Sequence, residues 1–122
     1  MAESKQYITK NQDNGTVMIS EDVVATIVAQ SVKEVEGVAG LSVKPGADIV
    51  DIIGKKNWGK GMRIVIAEDN SLTVDCDILI AYGNSVVTIA QNVQETVASH
   101  LESMTGVKVS AVNVNVCGIV RQ

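Results

Sequence analysis

At 122 residues and 12.9 kDa, the chain is long enough for one hydrophobic core and too short for two. It is 46% apolar with no Phe, one Trp and two Tyr, so the core must come from its 21 valines with Ile, Leu and Ala, a β-branched set suited to sheet and close helix-on-sheet packing. A net charge of −4 opposes general affinity for nucleic acid or anionic lipid, while Cys76 and Cys117, without C-x-x-C spacing or a His cluster, exclude a metal site and, in a reducing compartment, a disulfide.

Residues 1–14 are polar and read as a flexible N-terminal segment ahead of a single domain over 15–122. They hold no apolar run of signal-peptide length, and no segment approaches the roughly 18 to 20 apolar residues of a membrane span. The chain is therefore expected to remain in the cytoplasm.

"GTVMIS" at 15–20 reads as a strand ending on Ser20, a good helix N-cap, with Glu21 and Asp22 where the helix dipole favours negative charge. Val23, Val24, Ile27, Val28, Val32 and Val35 then recur at helical spacing, and Gly37 is placed to stop the helix. "VAGLSV" at 38–43 suits a short strand before Pro45 and Gly46 break the pattern. Strands over 62–68 and 72–80, joined at "EDNS", read as a hairpin. In its second strand Leu72, Val74, Cys76, Ile78 and Ile80 share one face, while Thr73, Asp75 and Asp77 share the other.

"YGNS" at 82–85 ends that strand and caps a long helix, with Val86, Ala90, Val93, Val97, Leu101 and Met104 as its apolar stripe and Gly106 as its stop. In "VKVSAVNVNVCGIV", Val107 and Val109 point inward. The phase then slips near Ala111, implying a bulge or bend, so that Val112, Val114 and Val116 line one face. Cys117 falls with Asn113 and Asn115 on the other, and the two cysteines are expected on opposite sides of the sheet. The order strand, helix, strand, strand, helix, strand implies an α+β two-layer sandwich with both helices on one face of a mixed sheet.

Several stretches invite a chemical reading. Gly54, Gly59 and Lys60 spell most of a phosphate-binding loop, but Gly61 stands where the metal-binding hydroxyl belongs, and a strand rather than a helix follows. Gly37-Val38-Ala39-Gly40 has the G-x-x-G of a KH-type nucleic-acid clamp, without a basic residue between its glycines. Asp75 and Asp77 project from one strand face as an acid-base pair would, although alternating carboxylates on a wet face usually serve solubility. His100, the only histidine, has no partner nearby in sequence for a dyad. No catalytic, cofactor or metal site is therefore expected.

Charge and strand pattern leave two candidate surfaces. Lys55, Lys56, Lys60 and Arg63 gather four of the ten basic residues around Trp58, which can stack a base or enter a membrane interface, or fold back onto the sheet edge. This is the candidate contact for RNA or anionic lipid. The second surface is the last strand: Val112, Asn113, Val114, Asn115 and Val116 can pair with another chain if that strand lies at an edge, and cannot if it is central.

Taken in order, "GTVMISEDVVATIV", "EVEGVAGL", "KKNWGKGMRIVI", "ILIAYGNSV", "AQNVQETVASHLESMTGVKVSAVNVNV" and "GIV" resemble the alkaline shock protein family of Gram-positive bacteria, also described as envelope or general stress proteins. The resemblance spans nearly the whole chain and rests on the succession of pieces rather than on any one. It implies a non-enzymatic cytoplasmic protein of the envelope and alkaline stress response that forms homo-oligomers. In some members it also implies a position near the membrane through a membrane-anchored partner protein. It defines no catalytic residues and no cofactor, and nucleic acid is not an expected partner.

Overall fold

The structure is a computed structural model that describes residues 7–42 and 61–121. Its first element departs from expectation. Residues 7–12, read as part of a flexible segment, form strand β1 (Tyr7–Gln12), paired antiparallel with β2 (Gly15–Ser20) from Tyr7↔Ser20 to Gln12↔Gly15. The cause is tertiary. Ile8 is fully buried, the Asn70 side chain donates to the Thr9 carbonyl at 2.9 Å, and the Lys10 ammonium donates to the Gly106 carbonyl at 2.9 Å. Residues 15–20 thus belong to a separate two-stranded sheet and not, as the element order implied, to the main one.

The main sheet is mixed, as expected, and centres on β5 (Leu72–Ala81). Along one side, β6 (Val109–Val120) runs parallel to it from Leu72↔Val109 to Ala81↔Val120. The other side is shared by two antiparallel strands, β4 (Met62–Ile66) against Leu72 to Cys76 and β3 (Val38–Leu41) against Ile78 to Ile80. Strands β3 and β4 point the same way and lie end to end, as one strand interrupted opposite Asp77. At the interruption the Ser42 amide donates to the Asp77 carbonyl at 2.7 Å, and the Asp77 amide donates to the Gly61 carbonyl at 2.8 Å. Gly61 has φ +88°, and a Cβ there would lie 2.8 Å from the Ser42 carbonyl oxygen. Only glycine lets the two chain segments meet there.

Helix α1 (Glu21–Glu34) starts on Ser20, whose hydroxyl accepts from the Val23 amide. It buries Val24, Ile27, Val28 and Val32, whereas Val23, expected inward, is exposed in the capping turn. Helix α2 (Val86–Thr105) starts on Ser85 and ends at Gly106 in the left-handed conformation. Its buried stripe is Ile89, Val93, Val97, Leu101 and Thr105. The expected stripe is displaced at both ends: Met104 is 68% exposed, and Thr105 replaces it because its hydroxyl donates back to the Leu101 carbonyl and can be buried without loss. Both helices pack on one sheet face, over Met62, Ile64, Ile66, Leu72, Val74, Cys76, Ile78, Ile80 and Val112, to form a single core. Two register shifts against β5 make Ser110 and Cys117 the extra residues of β6. The first is the slip expected near Ala111; the second had no sequence signal.

Candidate functional site

Strand alternation turns Arg63, Asp75, Asp77, Asn113 and Asn115 to the face away from the helices, and register places Arg63 beside Asp75 and Asp77 beside Asn115. Arg63 grips Asp77 with two bonds, Nη1 to Oδ2 at 3.1 Å and Nη2 to Oδ1 at 3.0 Å, and Nε lies 3.9 Å from Asp75 Oδ2. The Asn115 amide donates to Asp77 Oδ1 at 3.0 Å. Asp77 is only 4% exposed, a burial that a carboxylate tolerates when paired and hydrogen-bonded. Its hydrogen bond raises the Arg63 pKa, burial opposes that rise, and the charges of Asp77 and Asp75 add to it. The cluster ties β4, β5 and β6 together.

The groups weighed for acid-base chemistry do not converge. His100 sits in the helix layer, its Nδ1 2.8 Å from the Ser31 hydroxyl and 3.5 Å from a Glu34 carboxylate oxygen, and so bridges α2 to α1. Asp75 and Asp77 occupy the opposite face of the sheet. Cys76 faces the core, where burial first and the nearby carboxylates second push its thiol up to about 12. Cys117 is exposed, at the second bulge of β6, where strand alternation is interrupted. Among the described residues no group of three or more His, Cys, Asp or Glu is arranged to hold a metal ion. A polar groove of about 830 Å³ between the β1–β2 hairpin and the β4–β5 turn has Lys10 and Asn70 among its lining, and both are bonded to backbone.

Of the candidate polyanion contact, Lys55, Lys56, Trp58 and Lys60 lie outside the described residues, as do Gly54 and Gly59 of the phosphate-loop spelling. Arg63 is described, and its guanidinium is committed to Asp77. Gly61 leads directly into strand β4, the context that a phosphate loop excludes. The G-x-x-G reading is corrected: Gly37 follows α1 and Gly40 lies within β3 opposite Leu79. The motif therefore joins a helix to a strand, whereas a nucleic-acid clamp needs one between two helices.

Among the described residues, the candidate self-association residues Val112 to Val116 lie on an edge. Among the described residues, β6 pairs with β5 and with no other strand. The Val112 carbonyl accepts from the Gln94 side chain of α2 at 3.0 Å, so the Val112 backbone points away from β5. The ladder phase agrees: the Lys108 and Val120 carbonyls accept from Leu72 and Tyr82 amides, and each bulge shifts the alternation by one residue. Between the bulges, the N–H and C=O groups of Val112, Val114 and Val116 consequently face outward, and those of Ala111, Asn113 and Asn115 face β5. Strand β6 carries no charged residue and no proline over its 12 residues, two of the devices by which edge strands avoid pairing, while a third, the bulge, limits its regular edge to the run between Ser110 and Cys117.

Residues 9–121 match the alkaline shock protein 23 family, described as having a cell envelope-related function. Spy1535 of Streptococcus pyogenes is 38% identical over 108 residues, covering 88% of this chain and 81% of that protein. YqhY of Bacillus subtilis is 31% identical over 105 residues, covering 86% and 77% respectively. Among solved structures, the MamM CTD aligns over 83% of this chain and 96% of its own at 15% identity with a TM-score of 0.48, too loose a likeness to bear on function.

Proposed function

The chain belongs to the alkaline shock protein 23 family, with its cell envelope-related function, and from that premise we propose that it is a non-enzymatic stress-response protein working by self-association and partner docking. The assembly surface is the outward edge of β6, centred on Val112, Asn113, Val114, Asn115 and Val116. One observation carries this reading: a long, uncharged strand with outward-facing backbone groups and no paired strand beyond it among the described residues. Pairing a second strand there satisfies those groups and extends the core face of valines. Among the described residues no helix is long and apolar enough to cross a membrane. A position at the cytoplasmic membrane face is accordingly assigned to docking on a membrane-anchored partner. The commitment of Arg63 to Asp77 weighs against the polyanion reading of the basic stretch.

Sedimentation velocity over a concentration series tests this. The unmodified chain is expected to associate, and Asn113→Lys, which sets an exposed charge on the edge strand, is expected to weaken association at least about tenfold. A monomer at every concentration, or association indifferent to that substitution, contradicts the proposal.

A further inference from the structure

Edge pairing leaves orientation and register open, and β6 itself restricts both. The run between its bulges, Val112-Asn113-Val114-Asn115-Val116, reads the same in either direction. We propose that a second copy of this chain pairs antiparallel with β6 about a two-fold axis through Val114, an assignment that rests on β6 being the assembly edge.

The geometry favours this axis over its neighbours. A two-fold perpendicular to the sheet keeps each face on its own side, so residues opposite one another must share a face, and the axis must pass through a residue rather than between two. With the axis at Val114, Val112 stands opposite Val116 of the second copy, and Val114 stands opposite itself. These residues have outward backbone groups, so each N–H meets a C=O and every outward group in the run finds a partner. An axis through Asn113 would set Val116 against the bulged Ser110, and one through Asn115 would set Val112 against Gly118 beyond the other bulge. Either leaves outward groups without regular partners.

Side chains fit the same register. Asn113, which is exposed, lies opposite Asn115 of the second copy on the outer face. Asn115 uses its amide nitrogen on Asp77, and its carbonyl oxygen is able to accept from the facing Asn113 amide. No like charges meet across the axis, because β6 has none. Gln94 need not leave, since the Val112 carbonyl has a second lone pair for the incoming Val116 amide.

In this register Asn113 and Asn115 form a non-hydrogen-bonded pair with Cα atoms about 4.5 Å apart, within the span of a disulfide. In a Cys117→Ser background, chains carrying Asn113→Cys are mixed with chains carrying Asn115→Cys and oxidised. The expected product is predominantly the covalent heterodimer. Predominant homodimers of either chain move the axis to that residue and overturn the assignment. Association without any cross-link overturns it too, while leaving the edge reading intact; a protein that sediments as a monomer removes both. Because Asn115→Cys also loses the bond to Asp77, unmodified protein supplies a second readout. An isotope-filtered contact between the α-protons of Asn113 in one copy and Asn115 in the other is expected, and its absence from the associated form contradicts the register.

Discussion

Cys76 and Asp77 are consecutive on β5 and face opposite ways, one into the valine core and the other into an arginine. The buried thiol makes stability depend on pH in a definite direction. Its pKa rises from an ordinary 9.0 to about 12 on folding, so below about 9 both folded and unfolded chains hold the proton. Above that, only the unfolded chain releases it, and stability falls as pH rises toward the folded value. Between pH 8 and 11 this one group should remove on the order of 3 kcal/mol. Cys76→Ala loses packing at every pH but should lose this slope. Denaturant unfolding of both proteins at the two pH values checks it, and equal slopes would contradict it. The inward position of Cys76 was legible from alternation alone. The burial of Asp77 was not, because it depends on Arg63 and Asn115, which only the fold brings beside it.

At the scale of elements, the Arg63–Asp77–Asn115 cluster joins three strands on the face that no helix covers. Removing the carboxylate deprives both the guanidinium and the Asn115 amide of their close acceptor, leaving Arg63 only Asp75 at 3.9 Å. Asp77→Ala should therefore cost about 2 to 4 kcal/mol, toward the low end of a broken buried ion pair because the Arg63 side chain keeps some exposure. A shift in the unfolding midpoint equivalent to less than about 1 kcal/mol would show the cluster to be incidental. Helix and strand positions in this layer followed from period and caps: Ser20, Ser85 and Gly106 mark helix ends in the sequence and in the structure alike. Three features escaped. The β1–β2 hairpin carried an Asp-Asn-Gly turn signal at 13–15 and its second strand was legible, but its first, Tyr7–Gln12, lay in a polar segment read as flexible. The phase of α2 was set by contact with α1 and the sheet together. The union of β3 and β4 into one interrupted strand is a relation across residues 43–60 that local pattern does not contain.

At the scale of the whole molecule, the sequence posed β6 as either edge or centre, and among the described residues it pairs with β5 alone. Strand β5 takes the central place, with two shorter strands sharing one of its sides and β6 on the other. The basic stretch that stood out in sequence contributes one described residue to the site, Arg63, and its guanidinium is committed to Asp77. The proposed assembly surface is instead an uncharged strand that offers its backbone. The most direct measurement is amide hydrogen exchange at Val112, Val114 and Val116 as a function of protein concentration. If β6 is the assembly edge, these outward amides exchange readily in dilute solution and become protected as concentration rises, while those of Asn113 and Asn115, already turned to β5, change little. Exchange at the three valines that does not depend on concentration, in protein that nonetheless associates, would place the interface elsewhere and contradict the account.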